Sequence, residues 1–268
     1  MNCRTLFVLL TVIACQVVLA ENFHTEMVLN TFKITNSKTN GSVFILTRPA
    51  PNDAAKVQTI LVTAKHVFKN MDTDTATLIL RKKTADGLYE KAPLKIDVRR
   101  DGKTLWTAHP TEDVAVMVVT LPAEVERPDL SIELLATDEM LRTQDIHPGT
   151  VLFCAGYPHA GAFDPGEGGF PVVRTGCVAS FPLLPTSKTK TFLADFNTFE
   201  GDSGGAIFVV GSDEKKTRLI VGLVHGQHFI DEKYKNSYQS GEVKHRLGLG
   251  IIVHASAIRA AIELLPAK

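Results

Sequence analysis

Short apolar runs, separated by polar turns rich in glycine and proline, recur along nearly the whole chain. The runs are too short for ordinary helices, and several are rich in β-branched residues, as in the stretch Val114 to Thr120. Short runs of this kind at regular spacing are typical of β-sandwiches and β-barrels. The predicted strands are 42–46, 58–64, 76–80, 94–98, 114–120, 151–155, 172–180, 191–196, 206–210, 219–225 and 249–253. The sequence therefore predicts an all-β protein.

The last segment differs from the rest of the chain. Ile258, Ile262 and Leu265 recur at helical spacing, Ser256 can cap the start, and Pro266 follows the end. We therefore predict a C-terminal α-helix.

The segment 122–148 is rich in charges and prolines and contains no strong strand. We interpret it as the connection between two β halves of similar size. The predicted organisation is a signal peptide over 1–20, an N-terminal half over 21–130, and a C-terminal half with the helix over 131–268.

The charge balance argues against two classes of partner. Lys and Arg together number 29, as do Asp and Glu, and no long block of one sign occurs. Binding to nucleic acid or to an anionic membrane surface requires a basic surface. We therefore predict no nucleic-acid partner.

The N-terminus has the features of an export signal. Arg4 supplies a short positive region, and the apolar run from Thr5 to Leu19 is too short for a membrane span. Small residues up to Ala20 fit a cleavage site, so we expect a secreted or periplasmic protein with no stable membrane span. The alternative is a lipoprotein processed and lipidated at Cys15.

Two cysteines, Cys154 and Cys177, lie outside this leader. An oxidising compartment permits a disulfide between them. Zinc is disfavoured because only two thiols are present, without Cys-x-x-Cys spacing. The sequence thus predicts a disulfide, with two buried free thiols as the alternative.

The stretch Gly201 to Gly205 places Ser203 among three glycines, directly before the apolar run Ala206 to Val210. Glycines allow unusual backbone angles and close approach of a substrate to the main chain. One interpretation is a nucleophile loop in which the amides of Gly201 and Ser203 stabilise an anion. The other is a tight turn before a buried strand.

Two polar residues at strand ends bear on this choice. His66 follows the predicted strand 58–64, and Asp113 directly precedes the strand 114–120. Each is ordinary alone, but together with Ser203 they complete the trio that serine-based hydrolysis requires. The histidine accepts the serine proton and returns it to the leaving group, while the carboxylate orients the imidazole.

Three motifs carry a resemblance to trypsin/chymotrypsin-like serine peptidases. The stretch Thr63-Ala64-Lys65-His66 resembles the family's Thr-Ala-Ala-His, and Asp113-Val114-Ala115-Val116 resembles its Asp-Leu-Ala-Leu. Gly201-Asp202-Ser203-Gly204-Gly205 matches the nucleophile motif residue for residue. The resemblance spans about residues 40 to 265. It implies two six-stranded antiparallel β-barrels with the site between them.

The same resemblance assigns roles to individual residues. It implies His66 as general base and then acid, Asp113 as the orienting carboxylate, and Ser203 as the nucleophile. The backbone amides of Gly201 and Ser203 would form the oxyanion hole.

Within the family, the chain is similar to the secreted bacterial branch with high-temperature-requirement and glutamyl-specific peptidases. The similarity lies in Gly41-Ser42-Val43-Phe44, in Ala194-Asp195, and in the turn Cys154-Ala155-Gly156-Tyr157-Pro158. No stretch after the predicted helix resembles the PDZ domain of that branch.

One feature of the animal digestive members is missing. No Ile-Val-Gly-Gly stretch occurs near Glu21 to pair with Asp202. The sequence leaves three partners open for Asp202: another cation, the loop backbone, or the mature N-terminus by another route.

The resemblance also implies a substrate pocket. Asn197 would lie near its base, where the lack of a carboxylate disfavours strict preference for Arg or Lys. Val224, His225 and Gly226 would belong to its wall. His225 or His228 could read an acidic side chain, although Val224 stands where glutamyl-specific relatives have histidine.

The neighbourhood of His225 raises two further points. A metal-binding pair of His225 and His228 lacks a third ligand nearby in the sequence, so we expect no metal and no cofactor. The charged segment from Asp231 to Arg246 is interpreted as a long loop near the pocket.

Two functional hypotheses follow. The first is a secreted serine endopeptidase acting on a protein or peptide substrate. The second is a catalytically silent relative that binds proteins through its cleft or loops. The sequence predicts neither the natural substrate nor the oligomeric state.

Overall fold

The computed structural model describes residues 22–125, 127–162, 168–211, 217–235 and 238–266. The predicted leader, with its cleavage site and Cys15, lies outside the described residues. Within the described ranges, no helix has both the length and the apolar character needed to cross a membrane.

β-Strands form most of the regular structure, in agreement with the predicted all-β class. The strands of the first half are β1 (Thr31–Thr35), β2 (Asn40–Ala50), β3 (Asp53–Thr63), β4 (Thr75–Lys83), β5 (Tyr89–Asp97), β6 (Arg99–Arg100), β7 (Lys103–Thr104), β8 (Thr107–Ala108) and β9 (Ala115–Val118). Those of the second half are β10 (Val151–Gly156), β11 (Val172–Cys177), β12 (Thr191–Asp195), β13 (Ala206–Val210), β14 (Arg218–Lys235) and β15 (Ser240–His254). The α-helices are α1 (Phe23–Leu29), α2 (Lys65–Lys69), α3 (Asp138–Thr143) and α4 (Ala255–Glu263).

The first half is built on an antiparallel sheet in the order β5-β4-β1-β2-β3-β9-β8. The resemblance to trypsin-like peptidases implies six strands in this half, and the sheet has seven. The additional strand is the two-residue β8, in which Thr107 pairs with Val116 and Ala108 pairs with Ala115.

The second half is a six-stranded antiparallel sheet in the order β11-β10-β13-β14-β15-β12. Its two edges approach each other after β11, where Val178 forms an antiparallel bridge with Ala194. The amide of Ala179 also donates to the carbonyl of Leu193, at 2.8 Å. This half therefore curls toward a barrel.

The apolar side chains of both halves pack into a continuous core. Phe32 and Phe44 are among the largest fully buried side chains of the first half, and Phe208 of the second. Fully burying a side chain of this size contributes roughly 1.5–3 kcal/mol. Core burial thus fixes the sheets on which the site residues are carried.

A helix that local patterns do not reveal, α1, precedes the first strand. The side chain of Asn22 caps it by accepting from the amide of His24 at 2.9 Å. Phe23 packs edge-on against Phe208, with ring centroids 5.7 Å apart, and Glu26 forms an ion pair with Arg218. The start of the described chain is therefore docked on the second half.

The prediction of a loop from Asp231 to Arg246 is wrong. β14 and β15 continue past the sheet as a two-stranded hairpin, in which Asp231 pairs with Lys244 and Lys233 with Glu242. Most side chains of this hairpin arm are exposed. Because neither face packs on a core, the arm lacks the alternation that marks a half-buried strand.

The predicted C-terminal helix is present as α4. Its N-cap residue is His254, two positions before the proposed cap at Ser256, and the side chain of His254 makes no capping hydrogen bond. Differences of one or two residues at helix ends are ordinary.

Candidate active site

His66 lies in the short helix α2, directly after β3, rather than at the end of a strand. Val67 and Phe68 are almost completely buried and anchor this turn in the first half. The helix ends at once, where the amide of Asn70 donates to the carbonyl of His66 at 2.9 Å. The imidazole is partly exposed and faces the boundary between the two halves.

Asp113 lies in the turn before β9 and contacts His66 twice. Its Oδ2 lies 2.6 Å from the Nδ1 atom of His66, and its Oδ1 accepts from the His66 amide at 2.9 Å. The two contacts fix the plane of the carboxylate relative to the imidazole. The structure therefore brings the predicted base and its orienting acid together.

A second imidazole, that of His225, contacts the same carboxylate oxygen. Its Nδ1 lies 2.6 Å from Oδ2 of Asp113, and its ring is nearly perpendicular to the ring of His66. A register shift in β14 between Val224 and Gly226 places His225 at a β-bulge, which redirects the side chain. Sequence reasoning assigned His225 to the pocket wall and missed this contact.

The two imidazoles control the charge of Asp113. Burial alone would raise the pKa of this carboxyl, but the hydrogen bonds from His225 and His66 hold its pKa well below the ordinary value. The same hydrogen bond to Asp113 raises the pKa of His225, against the opposing effect of burial. Asp113 is thus kept ionised between two histidines.

The predicted nucleophile loop is tied to β14. The amide of Gly204 donates to the carbonyl of Val224 at 2.8 Å, and the amide of Val224 donates to Gly205 at 2.9 Å. Gly201 and Gly204 have φ angles of 94° and 85°, a region that favours glycine. The stretch is therefore a tight, well-anchored turn that carries Ser203.

Ser42 of the first half holds the same loop from the other side. Its amide donates to the carbonyl of Ser203 at 2.9 Å, and its hydroxyl donates to the carbonyl of Gly201 at 2.7 Å. The hydroxyl also accepts from the amide of Tyr157 at 3.0 Å. Both halves therefore contribute to the shape of the loop.

The Ser203 side chain is partly exposed. Among the described residues, no hydrogen-bond partner of its hydroxyl is found, and the amides of Gly201 and Ser203 donate to no described group. The two donors predicted for an oxyanion hole are thus uncommitted within this part of the chain.

Asp202 pairs with Arg174 of β11. The Nη2 atom of Arg174 lies 2.6 Å from Oδ1 of Asp202, whose side chain is fully buried, and Oδ2 accepts from the amide of Phe199 at 2.7 Å. Burial raises the pKa of Asp202, and Arg174 opposes this rise. Of the partners left open by the sequence, the structure contains two, another cation and the loop backbone.

The residues predicted for the pocket lie in different environments. Asn197 is exposed, and its carbonyl accepts from Nη1 of Arg174 at 2.8 Å. The side chain of Val224 is buried. Gly226 borders open space, and its carbonyl accepts from the hydroxyl of Thr198 at 3.1 Å.

The predicted disulfide between Cys154 and Cys177 is wrong, because both thiols are free. The antiparallel pairing of β10 with β11 places Cys154 opposite Arg174 and Cys177 opposite Val151. The thiols are therefore on opposite faces and about 10 Å apart along the strands, beyond the reach of a disulfide. Burial raises the pKa of Cys154 to about 12.

Comparisons with solved structures found similarity to Rv3671c. The serine-to-alanine mutant from M. tuberculosis H37Rv, in its inactive form, is 15% identical over 90% of this chain and 88% of that chain, with a TM-score of 0.48. The inactive form of the Rv3671c protease is 16% identical over 90% of this chain and 91% of that chain, with a TM-score of 0.46. A comparison with curated proteins found no match.

A comparison with protein families found a match. The family model described as Trypsin matches residues 56–238, which is more than half of the chain and includes His66, Asp113 and Ser203. The chain therefore belongs to the trypsin family of serine peptidases.

Proposed function

We propose that the protein is a secreted serine endopeptidase that cleaves peptide bonds through an acyl-enzyme formed on Ser203. The observation that carries this proposal is the contact of His66 with Asp113, at 2.6 Å, beside an anchored Gly-Asp-Ser-Gly-Gly turn. A histidine oriented by a carboxylate is the base that a serine hydroxyl needs at neutral pH.

In the first half of the proposed reaction, Ser203 Oγ attacks the scissile carbonyl carbon and its proton passes to Nε2 of His66. Asp113 stabilises the imidazolium through Nδ1. The carbonyl oxygen becomes an oxyanion that accepts hydrogen bonds from the amides of Gly201 and Ser203. Each such donor is worth roughly 3–4 kcal/mol of transition-state stabilisation.

Collapse of this intermediate breaks the C–N bond, and His66 gives its proton to the leaving amine. A water then loses a proton to His66 and attacks the acyl group. The ester bond to Ser203 breaks, the proton returns to Oγ, and the product acid leaves. No net proton or electron is left on the protein.

His225 has a positioning role in this scheme. Its hydrogen bond to Oδ2 of Asp113 keeps the carboxyl ionised and limits its rotation. Val224, the residue before His225 in β14, is hydrogen-bonded to the nucleophile loop. The same segment of β14 therefore holds both Asp113 and the Ser203 turn in place.

Two observations support the alternative of a silent, protein-binding relative. The Ser203 hydroxyl makes no hydrogen bond to His66 within the described residues, and a second imidazole shares Asp113. In substrate-free enzymes, however, catalytic hydrogen bonds are often long and tighten only with substrate bound. We therefore favour the peptidase.

Labelling with a fluorophosphonate probe tests the choice. We expect stoichiometric labelling of the folded protein, loss of labelling and of casein hydrolysis in Ser203→Ala, and no change in the control Ser187→Ala, whose side chain is exposed. A folded protein that takes no label would favour the silent relative. Casein hydrolysis that persists in Ser203→Ala would point to another nucleophile.

Export is tested separately. We expect the N-terminal sequence of the exported protein to begin at Glu21. A lipid-modified N-terminal Cys15 would instead establish the lipoprotein alternative.

A further inference from the structure

Three potential metal ligands from distant parts of the chain converge at one point. Oδ2 of Asp113 lies 2.6 Å from Nδ1 of His66 and 2.6 Å from Nδ1 of His225. The three donor atoms all lie within 4.8 Å of one another. In the sequence, His225 could be matched only with its neighbour His228, so this set becomes visible only in the fold.

We infer that His66, Asp113 and His225 form a binding site for a divalent transition-metal ion such as Zn²⁺, and that the bound ion switches the peptidase off. The inhibitory effect rests on the function proposed above, whereas binding of the ion does not.

The donor set selects the class of ion. Two imidazole nitrogens and one carboxylate oxygen suit zinc, copper or nickel, while calcium and magnesium prefer sites made of oxygen. A tetrahedral zinc ion with ligands at about 2.0–2.2 Å spaces its donors by about 3.3 Å. Each of the two contacts would therefore have to open by roughly 0.7 Å. The two imidazole nitrogens, which lie within 4.8 Å of each other, would have to approach to a similar spacing. Rotation of the partly exposed imidazoles can supply both movements.

The surroundings suit an exchangeable ion. The side chains of His66 and His225 are 35% and 42% exposed, so an ion can reach the site and keep a water as a further ligand. Asp113 is less accessible, and its other oxygen already accepts from the His66 amide. This hydrogen bond orients the carboxylate and leaves Oδ2 as the ligand atom.

The chemistry of imidazole explains why binding would inhibit. A metal ion on Nδ1 of His66 uses the lone pair of that nitrogen, so the single proton of the neutral ring lies on Nε2. Nε2 then has no lone pair with which to accept the Ser203 proton. The ion also displaces the hydrogen bond between His66 and Asp113, on which the general base depends.

Calorimetric titration of Zn²⁺ into the Ser203→Ala protein tests binding without autolysis. We expect one ion per chain and at least about 100-fold weaker binding in His225→Ser, with no change in the control His228→Ser, which replaces an exposed histidine on the same strand. His225→Gln is a second variant, and thermal unfolding shows that each variant is folded. Equal affinity in folded variants with and without His225 would overturn the site.

The inhibitory step is tested by the rate of fluorophosphonate labelling of Ser203 in the otherwise unaltered protein. We expect ZnCl₂ to slow labelling with the dependence on concentration measured by calorimetry, EDTA to restore it, and His225→Ser to lose sensitivity to zinc. Stoichiometric binding that leaves the labelling rate unchanged would overturn inhibition. A protein that never labels would contradict the proposed peptidase, while calorimetry would still decide the metal site.

Discussion

Arg174 Nη2 lies 2.6 Å from Oδ1 of Asp202, and the carboxylate side chain is completely buried. The same guanidinium donates to the carbonyl of Asn197 at 2.8 Å. One cation on β11 therefore fixes both the residue before the nucleophile and the segment that leads to it. Because this cation is internal to the chain, the pair does not require a newly cut N-terminus.

Removing this cation should damage both stability and activity. We expect Arg174→Met to lower the free energy of unfolding by about 3–5 kcal/mol, because Asp202 is left buried and unpaired. The Ser203 loop should lose its shape, and kcat/KM should fall at least about tenfold. Urea unfolding and peptide hydrolysis measure the two effects.

The double variant Arg174→Met with Asp202→Asn is the control, since it leaves no buried charge. We expect it to regain part of the lost stability. A single Arg174→Met variant that matches the unaltered protein in both measurements would show that the pair does not hold the loop.

Gly204 should tolerate no side chain. A Cβ atom there would lie 2.2 Å from the Thr63 hydroxyl and 2.3 Å from the Ser42 carbonyl, at a φ angle of +85°. Gly87 has the same φ of +85° but open space around it, so Gly87→Ala measures the backbone cost alone, about 1–2 kcal/mol. We expect Gly204→Ala to lose clearly more stability in urea unfolding. If Gly204→Ala and Gly87→Ala lose equal stability, the nucleophile loop rearranges to accept the methyl group at little cost.

His254 should make the protein sensitive to acid. The ring is buried and lies tilted against Phe192, with ring centroids 4.8 Å apart. Neither of its nitrogens has a hydrogen-bond partner in the part of the chain described. Burial lowers its pKa to about 4, so the unfolded chain binds a proton more readily than the folded protein. Stability is therefore fully present above about pH 6.5 and falls as the pH drops to about 4, by on the order of 3 kcal/mol.

Chemical denaturation at a series of pH values checks this effect. We expect the fall in stability between pH 6.5 and 4 to be smaller in His254→Leu. The control His228→Leu, which changes an exposed histidine, should show the full fall in stability. An identical slope in His254→Leu and the unaltered protein would contradict the assignment.

The two cysteines of the folded part should both be present as free thiols. In protein lacking the predicted leader, we expect Ellman's reagent under denaturing, non-reducing conditions to find two free thiols, Cys154 and Cys177. In the native protein Cys154 should not react, because it is buried and its pKa is raised to about 12. A count of zero thiols after denaturation would mean that a disulfide forms after all.

The sequence predicted the fold class and the approach of His66 to Asp113 because both follow from local patterns, while the role of Ser203 as nucleophile stays a prediction. Short apolar runs indicated the strands, and the surroundings of His66, Asp113 and Ser203 are short motifs. Helix α2 was missed because it has only five residues and continues directly from β3.

The contacts that sequence reasoning missed join residues far apart in the chain. The hydrogen bond between His225 and Asp113 spans 112 positions and depends on a bulge in β14. Arg174 contacts Asp202 because β11 pairs with β10, and the nucleophile loop also packs against β10. The disulfide prediction failed for the same reason, since the register between β10 and β11 is not visible in the composition of either strand.

The hydrogen bonds between Ser42 and the Ser203 loop have a consequence for when the protein becomes active. They join the two halves, so the carbonyls of Gly201 and Ser203 are held only after both halves have folded and docked. A chain that is still unfolded, or of which only one half has folded, lacks the shaped turn and its oriented amides. We therefore expect the newly made protein to remain latent until both halves have folded and docked, which protects the cell that makes it.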